Sequence, residues 1–214
     1  MKTLFFSLII IFGFFSFSQV LKDNRDGKKY YMVTIGEQNW MAENLDATTF
    51  RNGDKISIAE NEGDWWKAYE EGKPMCSYFR FDKKNGVEYG KIYNWYAVND
   101  LRGLSQEGWH IPSDQEWTIL ENYLGGDENA EKKLKYTEYW NSNGNGTNES
   151  GFSAIPVTRF NLDGGFYFEH GSEGNWWTST DSNSDLAFLR SMSNENEQLI
   201  RNELDKSSNF RSLC

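Results

Sequence analysis

The sequence predicts a single α+β domain over residues 19–214, with antiparallel strands, one main helix, one shorter helix and long irregular loops. Two helical patterns lie in the middle of the chain, and strand patterns lie on both sides of them. This order favours α+β over a parallel sheet of alternating strands and helices. The stretch is long enough for one sizeable core, and no Pro- or Ser-rich linker divides it. Nine Trp and 16% aromatic residues separate the composition from that of disordered chains.

Residues 1–18 have the pattern of a signal peptide. Lys2 supplies the positive start, residues 4–15 form an apolar run, and residues 16–18 are Ser-Phe-Ser at the cleavage position. The run is shorter than the roughly 20 residues that a membrane-spanning helix needs. We expect a mature chain that starts at Gln19, is secreted or held on the outer cell surface, and keeps no integral membrane segment. An uncleaved anchor is the alternative, and it also places the domain outside the cytoplasm.

The net charge of the chain is −10, from 32 acidic and 22 basic residues. A negative surface repels the phosphates of nucleic acids and the headgroups of anionic membranes. We therefore expect no nucleic acid partner.

The first strands are predicted around a tight turn. Residues 30–42 are rich in strand formers on both sides of Gly36, so we expect a β-hairpin with Trp40 on its buried face. Residues 46–74 are polar and contain several turn signals, which indicates a long loop. Residues 89–98 form an aromatic block that we interpret as a strand leading into a helical turn.

The main helix is predicted over residues 114–124. Ser113 and Glu116 have the spacing of a capping box, in which each side chain bonds to the backbone of the other residue. An apolar stripe at helical spacing follows, and Gly125 supplies a left-handed stop. A second, shorter helix is predicted near residues 128–136 from their Ala, Glu, Lys and Leu content.

Glycine residues divide the last third of the chain into short strand-forming runs. We expect strands at 165–168 and 175–178, a pair of late strands at 186–192 and 198–201, and a final strand at 209–214.

The chain has two cysteines, Cys76 and Cys214. In an exported protein, such an even and small number favours a single disulfide over a metal site. A bridge between them would contribute about 3–5 kcal/mol in the loop-entropy description. Two unpaired thiols are the alternative.

Five blocks in order carry a resemblance to a known family. They are residues 40–45, 89–95, 108–117, 146–156 and 176–180. Together they resemble the Fibrobacter succinogenes major paralogous domain, which is found in secreted and surface proteins of Bacteroidetes-type bacteria. The resemblance covers about residues 26–214. The family's closing aromatic-Ser-Val-Arg-Cys strand is present in altered form at 210–214.

The resemblance implies a single C-type lectin-like domain, a fold that is also similar to formylglycine-generating-enzyme-like domains. The family has no established reaction, so the resemblance indicates architecture and location rather than activity. Oxidase chemistry of the formylglycine type needs a reactive cysteine on the late strand, and Cys214 is the only cysteine there. We assign no catalytic residue.

No metal or other cofactor is expected, with calcium as the one alternative. Lectin calcium sites use Glu-Pro-Asn or Gln-Pro-Asp together with Trp-Asn-Asp, and neither pattern is present. Asp181, Asn183 and Asp185 offer oxygens that Ca²⁺ accepts, but a solvated turn is the favoured interpretation. His110 is expected to have a structural role beside the main helix, and His170 to be exposed in a loop.

Two pairs of adjacent tryptophans are the candidate ligand-binding residues: Trp65, Trp66, Trp176 and Trp177. Flat aromatic faces stack on sugar rings and apolar patches with little loss of entropy. In a strand, neighbouring side chains point to opposite faces, so we expect one Trp of each pair to be buried and the other exposed. Core and rim packing of both pairs is the favoured interpretation, and a binding platform is the alternative.

These observations predict a secreted or cell-surface binding or structural module, with a glycan or an extracellular protein as its partner. An extracellular glycan-active hydrolase is the alternative. Such an enzyme needs two carboxylates across a cleft, and a chain with 32 acidic residues offers too many pairs to choose one.

Overall fold

The computed structural model describes residues 19–157 and 171–206, which form a mixed α+β architecture of three small sheets with short helices between them. The predicted signal peptide, the strands expected at 165–168 and 209–214, His170 and Cys214 lie outside these residues.

The first sheet contains three antiparallel strands in sequence order: β1 (Gln19–Lys22), β2 (Lys29–Ile35) and β3 (Gln38–Met41). Gly36 makes the turn between β2 and β3 with a φ of +63°, a conformation that glycine adopts without strain. The predicted hairpin is confirmed, and Trp40 is buried as expected.

The second sheet joins β4 (Ser57–Ile58), β5 (Met75–Ser77) and β6 (Ile92–Tyr93). Helix α1 (Glu62–Glu70) lies between β4 and β5, so the prediction of a loop over 46–74 is wrong in this part.

Local capping and burial together explain why α1 forms. The side chain of Asn61 caps the helix by accepting a hydrogen bond from the Asp64 amide. Trp65 and Ala68 are buried on one face, whereas Trp66 is exposed on another. Gly63 lies in the first turn of α1. Because glycine is also a turn signal, the sequence indicated a loop here.

Further helices follow α1 along the chain, and the first of these was not predicted from the sequence. They are α2 (Gly86–Tyr89), α3 (Trp95–Val98), α4 (Asp114–Leu124) and α5 (Asp127–Leu134). The capping box of Ser113 and Glu116 is present at the start of α4, and Gly125 ends it in the left-handed conformation. The predicted main helix and the shorter helix after it are both confirmed.

The third sheet contains β7 (Glu173–Asp181), β8 (Leu186–Ser193) and β9 (Ile200–Asp205), all antiparallel. In its register, Arg190 of β8 faces Trp176 of β7 and Arg201 of β9. The pairing predicted for 186–192 and 198–201 is therefore confirmed.

Strand β7 lies between two apolar cores. Trp176 belongs to the core that contains Trp117, and Trp177 belongs to the core that contains Trp95 and Leu189. Both indoles are buried, with 3% and 1% of their surface exposed. The expectation that one of these two residues is exposed is wrong, because each face of the strand is covered by a core.

Candidate binding cleft

A cleft of about 580 Å³ opens where four separate parts of the chain meet. We call it the central cleft. Its walls are residues 37–45 of strand β3 and its flanking segments, residues 105–117 leading into α4, residues 152–154, and the two indoles of β7. Leu21 and Met32 of the first sheet also line it. Four of the five blocks that carry the family resemblance contribute to these walls.

The inner wall of the central cleft is a cluster of aromatic rings. The ring centroids of Trp40 and Trp117 are 5.1 Å apart, and the ring of Phe152 lies 5.7 Å from Trp40 and 5.6 Å from Trp117. Trp176 is 6.4 Å from Trp117. Tilted and edge contacts of this kind stabilise aromatic packing beyond simple burial. The half-buried Trp109 adds an indole nearer to solvent.

Three buried polar atoms of the lining residues lack a partner. They are the Nε1 atoms of Trp40 and Trp117 and the Oε1 atom of Gln38, and none has a hydrogen bond within the described part of the chain. The amide of Gln38 is oriented by its Nε2 atom, which donates to the Glu116 carbonyl at 3.1 Å. Each of these atoms has less than 1 Å² of accessible surface, so a ligand in the open cleft does not reach them in this conformation.

His110 and Glu116 form a pair at the mouth of the central cleft. The His110 Nε2 atom lies 2.8 Å from Glu116 Oε1, while Glu116 Oε2 accepts from the Ser113 amide at 2.7 Å. Burial alone would raise the pKa of Glu116, but the hydrogen bonds from Ser113 and His110 outweigh it and lower that pKa. His110 thus supports the helix start, as its position suggested.

Polar side chains of the first sheet surround the outer rim. Asn39 and Glu43 are exposed, and Glu43 Oε2 accepts from the Tyr31 amide at 3.2 Å. Asn44 Nδ2 donates to the Tyr89 carbonyl at 3.1 Å. This bond connects residues 89–95, the family block that does not line the cleft, to the wall of the cleft.

The structure separates the four candidate tryptophans into two places. Trp176 and Trp177 line the central cleft, whereas Trp65 and Trp66 lie on α1 and are not part of its lining. Trp65 packs in a small apolar cluster, and Trp66 is 39% exposed with its ring centroid 5.0 Å from that of Tyr69.

Sequence reasoning did not select Trp40, Trp109, Trp117 or Gln38 as site residues. All but Gln38 lie within the family blocks, so the repeated Trp positions of those blocks were the signal that pointed to them. Gln38 precedes the first block by two residues, and only the packing of the hairpin against α4 reveals it.

Cys76 in β5 is fully buried, and its thiol is not bonded to another cysteine within the described residues. Burial raises its pKa to about 12, although the nearby charge of Lys91 acts in the opposite direction. Since Cys214 is outside the described residues, the Cys76–Cys214 disulfide stays a prediction.

The oxygen-rich turn after β7 is engaged by the protein itself. Asp181 Oδ1 lies 2.8 Å from Lys206 Nζ, and Asn183 Oδ1 accepts from the amides of Asp185 and Leu186. Within residues 19–157 and 171–206, no group of three or more His, Cys, Asp or Glu side chains is placed to hold a metal. In the same residues, no helix combines the length and the apolar character required to cross a membrane.

Comparison with known proteins gives one match. No curated protein and no solved structure matches the chain, so the C-type lectin-like fold stays a prediction. The family model described as the Fibrobacter succinogenes major domain matches residues 33–211, a range that includes the lining residues of the central cleft other than Leu21 and Met32. The chain belongs to the Fibrobacter succinogenes major domain family.

Proposed function

We propose that this protein is a secreted or cell-surface binding module that accepts a glycan in the central cleft. The observation that carries the proposal is the combination of an aromatic wall, the half-buried indole of Trp109, and the exposed polar side chains of Asn39 and Glu43 at the rim. Binding sites for small molecules have this composition, with apolar walls and a few converging polar groups.

The chemistry of a saccharide complements these groups. A hydroxyl group both donates and accepts hydrogen bonds, so a sugar can bond to the polar side chains at the rim of the cleft. The C–H faces of the ring pack on indole surfaces, and the half-buried Trp109 is the most accessible indole among the lining residues named above. Amide groups at the rim, such as Asn39, offer further hydrogen bonds.

Export and fold belong to the same proposal. The described pairs of the first sheet run from Gln19 onward and therefore lie within the predicted mature chain. A C-type lectin-like arrangement is supported by a main helix that starts just after Pro112 and by the Trp-rich strand β7.

Glu116 lacks the raised pKa that the proton donor of a glycoside hydrolase needs. A glycoside hydrolase needs a carboxyl group that can donate a proton. The hydrogen bonds from Ser113 and His110 lower the pKa of Glu116 despite its burial, so this carboxyl is held ionised.

The test is a glycan-binding screen on residues 19–214, run with and without Ca²⁺, with two single variants. Trp109→Ala removes the half-buried indole of the central cleft, and Trp66→Ala removes the exposed indole of α1. We expect saccharide binding that is lost in Trp109→Ala and kept in Trp66→Ala.

Each other outcome has a definite meaning. Loss of binding in Trp66→Ala alone would move the site to α1. Binding that requires Ca²⁺ would show that the protein has a calcium site. An absence of binding to any glycan would overturn the glycan proposal and favour recognition of an extracellular protein.

A further inference from the structure

The ionisable groups of the central cleft are nearly all acidic. Its lining includes the carboxylates of Glu37, Glu43 and Glu116, together with His110. Among the described residues that form this lining, none is Lys or Arg. Among the described lining residues, a ligand therefore meets negative charge with no lysine or arginine to balance it.

The cations near the central cleft are engaged elsewhere. Arg51 donates from Nε to the Ser105 carbonyl at 3.2 Å and from Nη2 to the Trp109 carbonyl at 3.0 Å. Lys28 and Lys91 both bind the carboxylate of Asp46. Their charges are thus directed at the protein's own oxygens.

Arg190 and Arg201 likewise share one carboxylate, that of Asp114. These two arginines lie on the third sheet, and neither lines the central cleft.

The N-terminus of α4 is also closed to anions. Free amides at a helix start attract negative groups. Here the Ser113 amide donates to Glu116 Oε2 at 2.7 Å, and the Glu116 amide donates to Ser113 Oγ at 3.2 Å. The Asp114 amide donates to Thr180 Oγ1 at 3.0 Å. The chain's own oxygens occupy the positions that a ligand carboxylate or sulfate would need.

We propose that the central cleft discriminates by charge: it accepts neutral and amino-bearing saccharides and rejects acidic ones. This inference rests on the proposed glycan binding. Like charges brought together at a binding interface cost enough free energy to exclude a partner, so electrostatics sets specificity here. Protonated amines gain from the same carboxylates and from the indole faces.

The experiment measures affinity on matched saccharides that differ only in charge. Oligosaccharides of glucose, glucosamine and glucuronic acid are compared, along with the neutral, amino, uronate and sulfated members of a glycan array. We expect acidic saccharides to bind at least about tenfold more weakly than neutral ones. The difference should shrink at high salt, because exposed charges are screened.

Two variants test whether the acidic residues at the rim of the cleft cause this difference in affinity. The double variant Glu37→Gln/Glu43→Gln is expected to raise the affinity for acidic saccharides about tenfold and to lower the affinity for amino saccharides. The control Glu70→Gln makes the same type of charge change on α1, outside the lining, and should leave both affinities unchanged. Thermal unfolding checks that each variant is folded.

Failure of the charge inference and failure of the proposed function give different results. Equal or preferred binding of acidic saccharides would overturn the charge inference and keep the proposed glycan binding. No binding to any saccharide would overturn the proposed function, and with it this inference.

Discussion

The guanidinium of Arg190 binds the carboxylate of Asp114, with 2.5 Å between Nη1 and Oδ1. The Arg190 side chain comes from the central strand of the third sheet and is fully buried, whereas Asp114 is the first residue of α4. Arg201 of β9 approaches the same carboxylate, with Nη2 at 2.9 Å from Oδ2. One acidic side chain therefore fastens the start of α4, and with it one wall of the central cleft, to two strands.

Replacement of Asp114 by Asn should strongly destabilise the fold. The change leaves Arg190 buried without its closest carboxylate, and breaking a buried pair in this way costs about 3–5 kcal/mol. We expect the lower end of that range, because Glu121 Oε2 remains 3.9 Å from Arg190 Nε. Urea-induced unfolding measures the free energy. The control Arg201→Gln removes a half-exposed partner and should cost roughly 1 kcal/mol or less. Equal losses in the two variants would contradict this account.

Acid should weaken the native state through the same carboxylate. Burial would raise the pKa of Asp114, but the hydrogen bonds and charges of Arg201 and Arg190 outweigh it and lower that pKa below the ordinary 3.8. A lowered native-state pKa stabilises the fold above pH 3.8, and this stabilisation is lost as the pH falls through the native-state value. Unfolding free energies from about pH 6 to about pH 2 should fall more steeply for the wild type than for Asp114→Asn. Parallel curves would assign the acid sensitivity to other groups.

A second buried ion pair joins α5 to the end of β8. Lys135 Nζ lies 2.7 Å from Glu131 Oε1 and donates to the Ser193 carbonyl at 2.6 Å, with both side chains almost fully buried. Lys135→Met leaves the buried Glu131 carboxylate without its cation, with the Ser193 amide as a remaining donor at 3.2 Å, and should cost about 3–5 kcal/mol. The double variant Glu131→Leu/Lys135→Met should be more stable than the single one, since no charge remains buried. A double-mutant cycle from denaturant unfolding tests this, and simply additive losses would contradict it.

The buried thiol of Cys76 should resist alkylation while the protein is folded. A raised pKa of about 12 keeps the thiol protonated at neutral pH, and burial blocks access of the reagent. Iodoacetamide labelling followed by mass spectrometry should modify Cys76 only in denaturant. If Cys76 and Cys214 are joined, labelling in denaturant should also require a reductant. Rapid labelling of native Cys76 would contradict the packing of β5.

The elements that the sequence predicted well are those with short-range signals. Gly36 fixes the first hairpin, and the capping box of Ser113 and Glu116 fixes the start of α4, because both act within a few residues. Helix α1 was missed because its polar composition and early glycine are also typical of loops. The burial of Trp65 that stabilises it is a long-range effect.

The central cleft could be predicted only in part, for a related reason. Trp176 and Trp177 were selected as candidate aromatic residues. Their exposure was predicted wrongly, because a core covers each face of β7 and buries both side chains. The polar groups of the cleft, such as Gln38, acquire their role from contacts 78 residues away along the chain. No local pattern carries that information.

The position of β7 between two cores has a consequence for the entropy of binding. Trp176 and Trp177 are each immobilised by a separate set of packed side chains before any ligand arrives. A ligand that contacts these indoles does not have to arrest their rotation, so less conformational freedom is lost on association. Because these indoles are already in their final positions, even a ligand that makes few polar contacts can bind to them.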